Sequence, residues 1–347
     1  MDDADVQRRS SGATMPAARR MTYAVAAGEA LAACMRADAR VVALGEDLGR
    51  GGVFGQYRSR AADGALVPLQ REFGATRVID TPISEANIMG AAVGMALAGL
   101  RPVAELRIVD FALCGMDELI NQAAKNRFMF GGQGRVPLVV RMPIGIWSAS
   151  AAQHSQSLEA WFAHIPGLVV VCPATPQDNH ALLRMAIDSD DPVVYLEHKE
   201  LWGLEGDVAP DVVVPLGRAQ IARAGADLTI VTWSRTLHES LAAADALAAE
   251  GVGCEVVDLR TLWPWDRAAV LESCTKTRRL LVAHEAVQAA GFGAEIAASV
   301  AEELGPQCRI ARIGAPRIPV GYSAPLEAES RVGAERIAAA ARRLLQR

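Results

Sequence analysis

Short, continuous runs of β-branched and aliphatic residues recur along this chain, separated by Ala-rich stretches of helical spacing. "RVVALG" ends at Gly45, "RVID" at Asp80 and "RPVAEL" at Leu106; "VPLVVRM", "GLVVVCP" and "DPVVYLEH" follow in the same manner. Between them lie "TYAVAAGEALAACMRA", Ser84–Gly99, Asp117–Arg127, "LEAWFAHI" and "PQDNHALLRMAI", all readable as helices. Strands that are apolar throughout, not at every second residue, are buried on both faces, and their alternation with helices gives a parallel sheet covered on two sides. The pattern breaks at 199–217, "KELWGLEGDVAPDVVVPLG", rich in Gly, Pro and acidic residues. It then resumes through "DLTIVTW", "GCEVVDL", "RLLVAHE" and "CRIARIG" to a closing helix, "AERIAAAARRLLQ". The reading is α/β with two doubly wound domains, 21–198 and 218–347, joined by a linker at 199–217.

Composition narrows what such a chain does. Its 347 residues suffice for two domains of ordinary size, and 51% hydrophobic with 22% charged residues describes a globular protein. A net charge of −5 and 5% aromatics give no basic surface or stacking platform for nucleic acid, and no reason to expect an acidic membrane surface as partner. The six cysteines are scattered without a CxxC pair, four of them in apolar segments, which points away from disulfides or zinc and toward a reducing, cytoplasmic setting. Residues 1–20 are polar, mixed in charge and free of an apolar h-region, so a disordered tail is expected there. No run of eighteen apolar residues is present to span a membrane.

Ligands in open parallel sheets bind beyond the carboxyl ends of the strands, at the turns into the following helices. Glu85 sits five residues after "RVID", at the start of an otherwise apolar helix. A carboxylate among apolar side chains is costly unless paired or used. Two readings stand: a helix-start carboxylate, favoured by roughly 0.3–1 kcal/mol through the helix dipole and compatible with a capping box in "TPISE", or a working acid–base group. His154, in the Ser- and Ala-rich "SASAAQHSQSLEAW", also follows a strand, and histidine is the side-chain type that titrates near neutrality. Glu46 and Asp47 follow "RVVALG" as adjacent carboxylates that repel unless paired, protonated or solvated. The Gly-rich "GRGG" and "GGQG" lack the context of a phosphate cradle. "LWPWD" reads as a packed turn, and His284–Glu285 in "AHEA" as a surface or interface pair.

Taken together, "LGED", "DTPISE", "AVGMALAGLRPVAE", "INQAAK", "AAQHSQ", "PGLVVV", "DPVVYLEHK", "CEVVDLRTLWPWD" and "HEA" occur in family order from Met21 to the last helix. The chain resembles the β subunit of the thiamine-diphosphate-dependent first component of 2-oxo acid dehydrogenase complexes, a design shared by pyruvate, branched-chain and acetoin dehydrogenases. The resemblance implies a transketolase-like pyrimidine-binding domain followed by a transketolase C-terminal domain. It gives Glu85 the role of hydrogen-bonding the aminopyrimidine of thiamine diphosphate, matches Phe111 to the aromatic lining that pocket, and turns His154 toward substrate and the incoming lipoyl group. Glu46 falls on the polar path between paired active sites.

The family's "GDG…N" motif for magnesium and the diphosphate belongs to the α subunit and does not occur in this sequence. The implication is a cofactor shared between chains in a heterotetramer of two α and two β subunits, with Mg2+ held by α and the second domain forming the β–β contact and docking on a lipoyl-bearing acyltransferase core. Near "AIDSDDP", where relatives hold potassium, Ser189 and Asp191 replace the usual Asp and Asn, so K+ stays unassigned. Arg107 stands where relatives carry a neutral side chain; it would meet a substrate carboxylate or join an inter-subunit salt bridge. "VAELRIVDF", "MFGG" and "APRIPV" look closer to the acetoin-cleaving branch. The expected activity is oxidative decarboxylation of a 2-oxo acid such as pyruvate with acyl transfer to lipoyl, against acetoin cleavage, a self-contained transketolase-type enzyme, or a non-catalytic scaffold.

Overall fold

The computed structural model describes residues 18–346, so most of the stretch read as a tail, 1–17, lies outside the described residues. Strand Arg19–Thr22 nevertheless begins within that stretch and pairs antiparallel with Glu205–Val208, inside the segment read as linker. The 199–217 segment thus doubles back across the first domain: Tyr23 N donates to Leu204 O (2.8 Å), and Ala209 N to Gln177 Oε1 (2.8 Å). Its Gly, Pro and acidic residues concealed this strand, because a half-exposed two-stranded ribbon needs no apolar run.

The first sheet has seven strands, in the spatial order Thr261–Trp263, Val169–Val171, Val193–His198, Val139–Ile144, Arg101–Glu105, Val41–Gly45 and Val78–Asp80. All pair in parallel except Thr261–Trp263, which is antiparallel to Val169–Val171 and is supplied by the C-terminal half of the chain. Here the "LWPWD" stretch departs from the packed turn expected of it. Three residues are too few to show a period, and the partner strand lies some ninety residues away.

Side chains alternate across each strand and sort the helices. Val139, Val193 and Tyr195 face one side, where helices Tyr23–Ala37 and Pro176–Asp188 bury Ala27, Ala30, Leu31, Ala181, Leu182 and Leu183. Small alanines let those two helices lie close together. The first is capped by the Thr22 hydroxyl, which accepts from Val25 N; the second by Thr175, which accepts from Asp178 N, with Pro176 at its first position.

Val140, Met142, Val194 and Leu196 face the other side, against Ile88, Met89, Ala92, Val93 and Ala96 of helix Glu85–Leu97. That same core continues without a break into the second domain through Val231, Trp233, Val257, Leu259 and Leu262. At about 1.5–3 kcal/mol for each large aliphatic side chain fully buried, this shared face stabilises both domains together.

The second sheet runs Gln220–Arg223, Cys254–Asp258, Leu228–Thr232, Arg279–Val287 and Arg309–Ala315. Only the first of these is antiparallel to its neighbour. Helices Thr236–Ala248 and Ala334–Gln346 cover its outer face, and Arg267–Thr277 with Gly293–Leu304 cover the inner one. Cys172, Cys254, Cys274 and Cys308 are buried. Between the domains opens a cleft of about 1610 Å³, whose walls include Trp161, Trp263, Phe292 and Ile318. No helix among the described residues is long and apolar enough to cross a membrane.

Candidate active site

Five neighbouring parallel strands deliver their next residues to one edge of the first sheet. In spatial order Val193–His198 delivers Lys199, Val139–Ile144 leads into the loop with His154, Arg101–Glu105 leads to Arg107 and Phe111, Val41–Gly45 to Glu46, and Val78–Asp80 to Glu85. Topology alone therefore brings the candidate residues to one row.

Glu85 is the first residue of its helix and is half-buried. The capping box expected in "TPISE" is not formed. Ser84 occupies the cap without a side-chain hydrogen bond, and Ile88 N donates to the Ser84 carbonyl at 2.9 Å as the helix begins. The carboxylate is thus left free of a capping duty. Glu46 is buried, and its carboxyl is pushed above the usual range by burial and by the charges of Glu85 and Asp47, with Arg107 opposing. One carboxylate oxygen, Oε1, is buried without a partner.

Arg107 is engaged within its own chain: Nη2 meets Asp47 Oδ2 at 2.5 Å, and Nε lies 3.8 Å from Glu46 Oε2. Its Nη1 is buried and unpartnered.

Phe111 lies in the turn Val109–Gly115, pressed against the Glu85 helix. A β-carbon on Gly115 would come within 2.8 Å of Met89 Cγ and 3.2 Å of the Glu85 carbonyl oxygen, so only glycine fits this approach. Gly90 and Gly94, within the helix, are exposed, with Glu118 Cγ 3.8 Å from a β-carbon built at Gly90 and nothing within 4 Å of one at Gly94. The Phe111 ring meets the His154 imidazole edge-on, centroids 5.2 Å apart and planes at 87°.

Several groups around these residues had no signal in the sequence. Asp110, beside Phe111, is buried; one oxygen accepts from Gln156 Nε2 at 2.7 Å and the other has no partner. Lys199 is buried, and its ammonium donates to the His154 carbonyl. Of the pair read as a surface or interface feature, His284 is buried within the second domain, stacked on Trp233, and Glu285 reaches the first domain: its Oε1 meets His198 Nε2 at 2.9 Å and accepts from Ile146 N at 2.8 Å. Burial pushes the Glu285 carboxyl up, but His198, the Ile146 amide and Arg235 outweigh it and bring it down to about 2. Each link joins residues forty or more positions apart, beyond any local pattern.

A bound thiazolium–aminopyrimidine cofactor fits this row at its pyrimidine end. A carboxylate without a capping duty, a half-buried aromatic and the orphaned oxygens of Glu46 and Asp110 would face it. Potassium fits less well. At the turn near Ser189 the Ile187 and Ser189 carbonyls accept from Arg101 (2.9 and 3.0 Å), while Asp190 pairs with Arg101 and Arg135 and Asp191 with Arg127. Three guanidinium groups already face those oxygens. Among the described residues no group of three or more His, Cys, Asp or Glu side chains is arranged to hold a metal ion.

The fold is that of a transketolase-type domain pair. Residues 19–203 match the transketolase pyrimidine binding domain, and 217–337 the transketolase C-terminal domain. A split-gene transketolase, solved as an inactive β4 tetramer, shares the fold with a TM-score of 0.77 at 23% identity, covering 94% of this chain and 99% of its own. The chain is 43% identical over 336 residues to the β subunit of acetoin:2,6-dichlorophenolindophenol oxidoreductase from Cupriavidus necator, covering 95% of this chain and 98% of that one. It is 38% identical to the 2-oxoisovalerate dehydrogenase subunit β of Bacillus subtilis (94% and 99% covered) and 39% identical to the mitochondrial pyruvate dehydrogenase E1 component subunit β of Caenorhabditis elegans (97% and 96%). The chain belongs to the family of thiamine-dependent first-component β subunits of the 2-oxo acid and acetoin dehydrogenases.

Proposed function

We propose that this chain works as the β half of a heterotetrameric first component, active only with an α partner that holds Mg2+ and the diphosphate of thiamine diphosphate. The observation that carries the reading is the convergence of Glu85, Glu46, Phe111 and His154 at the carboxyl edge of one parallel sheet. Thiamine diphosphate, when bound, supplies the carbanion chemistry that cleaves the bond beside a carbonyl.

This chain's residues do the rest. Glu85 holds and moves a proton at the aminopyrimidine ring nitrogen; Glu46, its carboxyl already raised, takes part in the same proton path. Phe111 gives the ring an apolar wall. His154, exposed at the end of its loop, serves the acyl group and the incoming lipoyl chain. Arg107 serves as counter-charge to Glu46 and Asp47, which leaves it engaged before any substrate carboxylate arrives. We divide the labour between a pyrimidine-binding domain at 21–198 and an assembly domain at 218–347, with a second β chain and a lipoyl-bearing acyltransferase core as further partners and the cytoplasm as location.

Acetoin is a second substrate reading beside pyruvate-like 2-oxo acids. It is favoured by the identity to two acetoin oxidoreductase β subunits, 43% and 42%, against 38–40% for the 2-oxo acid dehydrogenase subunits. Reconstitution with the α subunit, assayed on both substrates with a reducible dye, distinguishes them. In the active complex Glu85→Gln is expected to lower the rate by at least about 10²-fold, the usual scale of a general acid–base group. Retention of most activity would remove Glu85 from the mechanism, and full activity of the β chain alone would remove the half-site.

A further inference from the structure

His154 is exposed, with the edge of Phe111 against its ring, so backbone geometry, not burial, places it. That backbone is unusual. Gly145 has φ +89°, and three non-glycine residues of the same loop, Ser148, Ala149 and Ala151, have φ of +50°, +55° and +61°. Left-handed residues of this kind cost on the order of 1–3 kcal/mol each and persist only where their surroundings over-determine them. The surroundings here are few and specific. Ile146 N donates to Glu285 (2.8 Å) and Ala149 N to Glu327 (2.8 Å), both carboxylates of the second domain. Gly145 N donates to Gln156 O at 3.0 Å. At the far end, the ammonium of Lys199 donates to the carbonyl of His154 itself.

We infer that Lys199 is a positioning residue for His154: its buried ammonium, bonded to the His154 carbonyl, fixes the end of the strained loop, so that the imidazole meets the lipoyl chain at a set place beside Phe111. The inference rests on the reading of the reaction given above.

Lys199 is 3% exposed, and the carboxylates facing it come from three elements: Asp110 from the Phe111 turn, Glu285 from the second domain, and Glu200 next along the chain. A buried ammonium is expensive, and a neutral amide donor would hold a carbonyl more cheaply. The negative charges of Asp110, Glu285 and Glu200 around it offset part of that cost.

Burial brings the Lys199 amine down to about 8, with the three carboxylates opposing. The sign of the linkage separates two roles. The folded chain's cost of holding this charge is present below about pH 8 and is relieved as pH rises from there toward the lysine's ordinary 10.5, so the group's effect on stability improves with alkalinity. Its grip on His154 weakens over the same window. A purely structural lysine would move stability and leave the balance of acyl transfer to decarboxylation unchanged.

The test compares wild type, Lys199→Met and Lys199→Arg in the complex with α subunit, at pH 7 and pH 9. Three quantities are read: dye-coupled decarboxylation, acylation of a free lipoyl domain, and amide hydrogen exchange across 145–156. We expect Lys199→Met to lower acylation about 10-fold or more relative to decarboxylation, the scale of a modest misplacement, and to speed exchange in the loop. Wild type should shift the same way between pH 7 and pH 9, and Lys199→Arg, always charged, should abolish that shift. An unchanged ratio and unchanged exchange in Lys199→Met overturn the inference. If Lys199→Met does not fold, the wild-type and Lys199→Arg comparison decides it: equal pH dependence in the two overturns it. A wild-type complex inert toward every 2-oxo acid and acetoin sinks the functional reading instead, while loop exchange still reports on Lys199.

Discussion

At the scale of single residues, the site is built from groups whose ordinary duties are withheld. Glu85 stands where a capping carboxylate would stand and makes no cap. Arg107 is spent on Asp47 and Glu46, which keeps a positive charge beside a Glu46 carboxyl that burial, Glu85 and Asp47 raise. His154 is held by its carbonyl, with its ring exposed beside Phe111. For His154→Ala we expect acyl transfer to a lipoyl domain to fall at least as far as decarboxylation, measured in the same reconstituted complex; unchanged lipoyl acylation would refute its role. The positions of Glu85 and His154 after strands were readable from sequence, because a strand's end is marked by the apolar run before it. The partners were not. Lys199 and Asp110 look like any charged residues beside a strand or turn, and only the fold brings them to His154 and Gln156.

Among the elements, the apolar runs and Ala-rich stretches marked nearly every core strand and long helix, since both faces of the sheets are buried and the signal is strong. What escaped notice were the short pieces whose partners are distant: Arg19–Thr22, Glu205–Val208 and Thr261–Trp263. The packing that matters most for the site was also invisible. The Glu85 helix and the Phe111 turn are brought together at Gly115, a glycine with no turn signature. For Gly115→Ala we expect a loss of about 1–3 kcal/mol in unfolding free energy, the usual cost of overpacking, together with weaker cofactor binding, because Phe111 and Glu85 must move apart. A denaturant midpoint equal to wild type would show that the turn has slack to give.

In the whole molecule, the two domains share one apolar core and the second domain's Glu285 and Glu327 hold the first domain's loop. The sheet itself is shared too, since Thr261–Trp263 completes its edge beside Val169–Val171. That strand sets an order on biosynthesis. When the first 217 residues have emerged from the ribosome, the sheet ends at an unpaired Val169–Val171 edge, a row of valines able to recruit a strand from another chain. A polypeptide ending at 217 is therefore expected to aggregate on expression, whereas one ending after Trp263 keeps its edge covered; light scattering of the two at equal concentration measures the difference, and equal solubility would contradict it. The second half of the gene thus protects the first half before it contributes anything to assembly, and the nascent chain is most exposed to chaperones during the forty-odd residues between the two points.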